Sequence, residues 1–195
     1  METVFFCSHL HDKYKKDDWR AYFSQWYQQS FTVTKKDYPY KISDLVIEED
    51  WNNYIKDTEF NCREQWMMTW KGLLLAKDKF RDYNITIVER ILDDDNPNYM
   101  RKLGRALKGF NIYSDLWDKW KYKIVVNGNY LQFSQNNNMK KILLDTGNKE
   151  IVEAAYYDNV WGIGYNESNA KKVDKKYWGQ NLLGTALMEV RTLLK

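Results

Sequence analysis

The sequence predicts a predominantly α-helical α+β fold with a few short β-strands, arranged as one compact domain over residues 1–195. The first observation is size, since 195 residues with 44% hydrophobic side chains suffice for one core of ordinary size. The second is periodicity. Apolar residues recur at helical spacing beyond residue 60, whereas earlier segments hold only short apolar runs such as 43–47, which suggest strands. An aromatic content of 16% excludes a disordered chain, because such chains are poor in aromatic residues.

The predicted helices follow from this spacing. Trp66, Trp70 and Leu73 recur at helical intervals, and Asn61 precedes Glu64 by three residues, as in a capping box. These positions predict a first helix over residues 61–80, with Trp66 and Trp70 in the core. The same reasoning predicts further helices over residues 85–92, 98–104 (or to 109), 115–133, 139–144 and 181–194.

Composition also bounds the partners and the compartment. Thirty Lys and Arg against twenty-seven Asp and Glu give a net charge of +3, with the signs interspersed, which is less basic than a dedicated nucleic-acid-binding domain. Cys7 and Cys62 are too few for a disulfide framework. Neither a signal peptide nor an apolar run of about 18 residues is visible. We therefore expect a cytoplasmic protein, or one of another reducing compartment, without membrane contact.

Metal-ligating side chains cluster at Cys7, His9 and His11, a C-x-H-x-H pattern. In an extended segment the three would point to one face, yet the sequence lacks the second half that zinc sites use. We therefore expect no metal ion. His9 and His11 are the only histidines and lie in no nucleophile motif, so no catalytic triad is predicted.

Glu64 and Lys71 are seven residues apart and share one face of the first helix. At 1.5 Å per residue they lie about 10 Å apart, which is too far for an ion pair but suits opposite parts of one ligand. The alternative is that Glu64 is a first-turn acid that complements the helix dipole, and spacing alone favours this alternative.

The segment 158–164 combines a carboxylate, an indole and two glycines. Trp161 stands among turn residues, and Gly162 and Gly164 allow a positive φ or the close approach of a ligand. A tight turn with a core Trp explains the spacing equally well. A second aromatic pair, Trp117 and Trp120, lies beside acidic residues, although rings facing the core explain each of them alone.

The order and spacing of several motifs resemble the NADAR family, which includes the YbiA-like N-glycosidases. The similarity extends from about residue 23 to residue 194. The matching motifs are Phe23-Ser24-Gln25-Trp26, the Glu64-led helix to Phe80, Leu103-Gly104-Arg105, Trp117-Asp118, and segments 143–147, 158–164 and 179–191.

The resemblance implies a YbiA-like fold and hydrolysis of the N-glycosidic bond between a ribose C1 and a nitrogenous base. We expect removal of ADP-ribose from N-linked guanine, in a modified nucleotide or a nucleic acid. One alternative is an N-glycosidase for phosphorylated ribosylamino-pyrimidine intermediates of riboflavin biosynthesis. Another is a non-catalytic module that binds ADP-ribose or nucleotides. Hydrolysis needs only water, so no cofactor is implied.

Carried over motif by motif, the resemblance implies three catalytic residues, Glu64, Trp117 and Asp158. Cleavage passes through an oxocarbenium-like state, so a carboxylate stabilises positive charge while a second group handles the proton. Glu64 then positions water or binds ribose hydroxyls and Asp158 handles charge or the proton, with the reverse assignment open. The implied substrate-binding residues are Phe23, Ser24, Lys71, Trp161, Gly162, Gly164 and Asn181.

The sequence departs from the YbiA-like pattern in three places. Gln65 replaces a common His, Gln25-Trp26 replaces Asn-Phe, and a lysine-rich insert occupies residues 171–176. Gln65 and the insert favour a substrate linked to nucleic acid, since lysines contact phosphate backbones. Lys71 is expected to meet a phosphate as a point charge.

Overall fold

The computed structural model describes residues 2–7, 18–33 and 38–195. His9 and His11 of the Cys7 cluster therefore lie outside the described residues. The chain divides into two compact units, and each is described by itself. Unit 1 comprises Met1–Tyr27 and Phe133–Lys195, and unit 2 comprises Gln28–Gln132.

Unit 2 is mainly helical. Its two short strands, β2 and β3, pair antiparallel, with Phe31 opposite Phe60. Helix α2 packs against α3 and α4, which also pack against each other. The elements of unit 2 are β2 (Phe31–Thr32), α1 (Glu48–Tyr54), β3 (Glu59–Phe60), α2 (Arg63–Leu75), α3 (Arg81–Leu92), α4 (Pro97–Ala106) and α5 (Phe110–Gln135), which continues into unit 1.

Helix α2 is buried on every side. Twelve of its thirteen residues are buried, and Lys71 alone is half-buried. A surface helix has a polar face, so a helix buried all round belongs to the centre of a core. The Trp66 ring is fully buried and its indole N–H donates to the Ile124 carbonyl at 2.7 Å. Gly128 makes room for that ring, because a Cβ there would approach the indole at 2.5 Å.

Unit 1 contains a parallel pair of strands. Strand β1 pairs with β4 from Thr3 opposite Glu150 to Phe6 opposite Glu153. Helix α8 packs on β4 and on α6. The elements of unit 1 are β1 (Thr3–Phe6), α6 (Asn137–Asp145), β4 (Glu150–Glu153), α7 (Glu167–Ala170) and α8 (Leu182–Leu193), with short 3₁₀ turns at Trp19–Phe23 and Lys175–Tyr177.

The predicted α+β fold class is confirmed, and the predicted helices correspond to α2–α6 and α8. None of the helices within the described ranges combines the length and apolarity that a membrane crossing requires. Trp66 and Trp70 are fully buried, as predicted. The division into one domain remains a prediction.

Three local predictions are wrong. Residues 43–47 form no strand, because a 3₁₀ turn spans Ser43–Leu45 and the Leu45 N–H donates to Ile42. Asn61 is not the N-cap of α2, which is Cys62 without a side-chain cap. Helix α2 ends at Leu75 rather than at residue 80, since Asp78 adopts a positive φ of 48°.

Candidate functional site

The predicted residues of unit 2 surround the ammonium group of Lys71. Its Nζ donates to the Gly104 carbonyl at 3.0 Å and lies 4.7 Å from the Phe110 ring centroid and 5.9 Å from that of Trp117. Glu64 lies two turns earlier on α2 and is 3% exposed. We call Glu64, Lys71, Gly104, Phe110 and Trp117 the Lys71 cluster.

The electrostatics of the Lys71 cluster oppose each other. Burial lowers the pKa of the Lys71 ammonium from its usual 10.5, because leaving water penalises the charged form. The Glu64 carboxylate acts on this pKa in the upward direction, and the Arg105 cation lowers it further. A buried acid and a buried base that influence each other along one helix face are typical of functional sites.

Gly104 explains how a main-chain carbonyl reaches Lys71. A Cβ at this position would come within 2.1 Å of the Met68 sulfur, so only glycine lets α4 approach α2 this closely. The Gly104 carbonyl then replaces part of the hydration shell of the ammonium. The Leu103-Gly104-Arg105 motif therefore serves the site through its backbone.

Gln65 has a structural role that the sequence does not reveal. Its side-chain oxygen accepts from the Asn61 N–H at 2.7 Å. Its amide nitrogen donates to the carbonyls of Ile91, Leu92 and Asp94, at 3.0 to 3.2 Å. Because both amide atoms are engaged at the end of α3, Gln65 gives no indication of the leaving group.

The predicted residues of unit 1 lie in and around a tight loop at residues 158–164, which we call the Asp158 loop. Asp158 Oδ1 accepts from the Val160 and Trp161 N–H groups at 2.8 and 2.9 Å. The Asp158 carbonyl accepts from Gly164, whose φ is +72°. These bonds close the loop, while Asp158 Oδ2 has no hydrogen bond within the described ranges.

Glycines and Asn181 fix the Asp158 loop to its neighbours. A Cβ at Gly162 would lie 2.8 Å from the Glu153 carbonyl, and one at Gly179 2.4 Å from the Asn159 carbonyl. Asn181 adopts a left-handed φ of 51°. Its side chain donates to the Ile151 carbonyl and accepts from the Glu153 N–H, both at 2.9 Å. The Asn181 amide thus holds the end of β4.

The remaining predicted residues occupy contrasting environments. Phe23 is fully buried, and its ring contacts Phe6, Trp19 and Phe133. Ser24 Oγ accepts from the Trp26 N–H at 3.3 Å. Trp161 is half-buried and its carbonyl accepts from the Leu183 N–H. Direct contacts of these residues with a substrate stay predictions.

Two residues of the Lys71 cluster, Gly104 and Phe110, have roles that sequence reasoning missed. Gly104 stood in a recognised motif, but its carbonyl carries no sequence signal. Phe110 follows Gly109, whose φ is +80°, and precedes a kink in α5 at Tyr113. That glycine was the available signal, since it marks a turn directly before an aromatic residue. Within the described ranges, no group of three or more His, Cys, Asp or Glu is arranged to hold a metal.

The fold and these two regions define a YbiA-like protein. The NMR structure of YbiA from Escherichia coli matches with a TM-score of 0.60 at 19% identity, covering 100% of this chain and 86% of that chain. The NADAR domain pattern matches residues 12–195, so the chain belongs to the NADAR family, as the motifs predicted.

Two relatives are similar along most of the chain. The N-glycosidase R617 of Acanthamoeba polyphaga mimivirus is 36% identical over 170 residues, which are 87% of this chain and 85% of that protein. Protein irg-1 of Caenorhabditis elegans is 34% identical over 147 residues, or 71% of this chain and 66% of that protein.

Proposed function

We propose that this protein is an N-glycosidase that hydrolyses the bond between a ribose C1 and a purine nitrogen, releasing ADP-ribose from modified guanine. The observation that carries the proposal is the Lys71 cluster, in which a carboxylate and an ammonium share one buried helix face between two aromatic rings. The N-glycosidase named among the relatives supports the reaction class.

Each group of the Lys71 cluster suits one part of such a substrate. The Lys71 ammonium meets a diphosphate as a point charge, with the rings of Phe110 and Trp117 excluding water beside it. Charge attraction strengthens where water is excluded, so a half-buried lysine holds a phosphate better than an exposed one does.

Glu64 is proposed to stabilise the sugar as the base departs. The C1–N bond breaks with its electron pair leaving on the base, and positive charge develops on C1 and the ring oxygen. A buried carboxylate acts strongly on this charge because little solvent screens it. Water then adds its oxygen to C1 and loses a proton, and the departing guanine nitrogen gains one.

Asp158 is proposed to hold or transfer the proton in this reaction. The supporting observation is its division of labour, since Oδ1 fixes the loop while Oδ2 accepts no hydrogen bond within the described ranges. A carboxylate held rigidly by backbone donors keeps its second oxygen in a defined direction, as catalysis requires.

The test is an assay of ADP-ribose release from an ADP-ribosylated guanine oligonucleotide, run beside a phosphorylated ribosylamino-pyrimidine. We expect turnover of the first substrate, and loss of that turnover in Glu64→Gln and in Asp158→Asn, with unchanged circular dichroism. Turnover of the pyrimidine alone would assign the riboflavin-type activity instead. Near-wild-type rates in both variants would contradict the proposed roles.

A further inference from the structure

Three tyrosines stand out from the rest of the surface of unit 1. Tyr156, Tyr157 and Tyr177 are 71%, 64% and 63% exposed, the highest values among large hydrophobic side chains in the described part of the chain. The rings of Tyr156 and Tyr157 contact each other edge to face at 5.1 Å. Single exposed aromatics are ordinary, whereas a group of them marks an interaction surface.

The three tyrosines belong to one patch because their segments touch. Tyr157 lies two residues before Asn159, and Tyr177 lies two residues before Gly179. The Gln180 N–H donates to the Asn159 carbonyl at 2.8 Å, and a Cβ on Gly179 would lie 2.7 Å from the Asn159 Cα. At 3.8 Å per Cα step, the backbones of Tyr157 and Tyr177 therefore lie within about 20 Å of each other.

Lysines interleave with these rings. The segment 171–176 contains four lysines and one aspartate, and Lys176 Nζ lies 5.0 Å from the Tyr177 ring centroid. Three of the lysines form ion pairs with Glu167, Glu150 and Asp174. The side chains of these three lysines are 58 to 64% exposed. Exposed ion pairs contribute little, so a phosphate chain can displace them.

We propose that Tyr156, Tyr157, Tyr177 and the lysines of 171–176 form a binding surface for single-stranded nucleic acid. Exposed rings stack on bases of any sequence, and nearby lysines meet the phosphates between them. At about 3.4 Å per stacked nucleotide, a span of about 20 Å accommodates about six nucleotides. The surface does not depend on the proposed hydrolysis, because binding of an unmodified strand requires no reaction.

The experiment measures binding of labelled, unmodified strands of about 12 nucleotides by fluorescence anisotropy between about 50 and 200 mM salt. We expect the triple variant Y156A/Y157A/Y177A to bind at least about tenfold more weakly, given the usual effect of removing stacking rings. The triple variant Y156F/Y157F/Y177F keeps the rings and should bind like the wild type. Replacing all four lysines with Gln should reduce the salt dependence, by up to about 0.7 per phosphate contact in the logarithmic slope.

Tyr83→Ala is the matched control, since Tyr83 is 39% exposed on α3 of unit 2 and should leave strand binding unchanged. Unchanged affinity in the triple alanine variant would overturn the proposal, as would failure of the wild type to bind any strand. Adenosine monophosphate that occupies the same rings while longer strands gain nothing would also overturn it. So would tyrosine-dependent self-association in sedimentation without strand binding.

Discussion

The Lys71 cluster and the Asp158 loop use polar side chains in opposite ways. In the Lys71 cluster, charged side chains are buried on a core helix and act on each other across its face. In the Asp158 loop, the polar atoms of Asp158 and Asn181 mainly bind backbone groups of their own unit. The first arrangement stores charge for chemistry, and the second fixes a backbone. Variants in the first should therefore change rates, and variants in the second should change stability.

The largest expected effect is on the rate of Glu64→Gln. The substitution keeps the size of the side chain and removes the charge that stabilises the developing cation. We expect ADP-ribose release to fall by about 10²–10³-fold, as for other groups that stabilise transition-state charge. Glu89→Gln, an exposed carboxylate on α3, is the matched control and should retain full activity. Equal losses in both would remove Glu64 from the chemistry.

Asn181→Ala should mainly destabilise the protein. The substitution leaves the Ile151 carbonyl and the Glu153 N–H of β4 without partners. We expect a loss of about 2–4 kcal/mol in the free energy of unfolding, measured in urea. Asn159→Ala removes an exposed amide nearby and should change stability by less than about 0.5 kcal/mol. Unaltered stability in Asn181→Ala would show that its side chain does not hold β4.

Gly104→Ala tests the close approach of α4 to α2. The added methyl group meets the Met68 sulfur, so we expect a loss of about 1–3 kcal/mol. The double variant Gly104→Ala/Met68→Ala removes the obstructing side chain. It should be less destabilised than the sum of the two single variants, which a double-mutant cycle measures. Additive losses would mean that this contact does not determine the helix spacing.

Asp158 is where the two regions are hardest to separate, and a pair of variants separates them. Asn keeps an oxygen that accepts from the Val160 and Trp161 N–H groups, whereas Ala does not. Asp158→Ala should lose about 1–2 kcal/mol of stability, and Asp158→Asn should remain near the wild type. Equal thermal midpoints for the two variants would contradict the structural role of Oδ1.

The smallest expected effect is a pH dependence of stability from Lys71. Because burial lowers the Lys71 pKa below its usual 10.5, the unfolded chain binds more protons between the two values. Stability relative to Lys71→Met should therefore rise as pH increases through the folded pKa towards 10.5. Urea titrations of both proteins above pH 8 measure this difference. A falling difference would mean that the ammonium is stabilised in the fold.

The sequence supplied the helices and the residue types of the site, because periodicity and motif order are local properties. It placed Glu64 and Lys71 on one helix face, and α2 confirms this. It did not reveal that Gly104 donates no side chain but a carbonyl, nor that Gln65 ties the end of α3. Those roles depend on which backbone groups folding brings near, and no residue type encodes them. Helix α1 was missed although three acidic residues open it, a charge pattern that favours a helix N-terminus.

The most direct test of the hydrolysis at the Lys71 cluster is the reaction in ¹⁸O-labelled water, followed by mass spectrometry of both products. If the C1–N bond is hydrolysed, the wild type should release ADP-ribose with one ¹⁸O on C1 and an unlabelled guanine. Glu64→Gln should form little of either product. Label on a phosphate, or equal yields from the wild type and Glu64→Gln, would contradict the assignment.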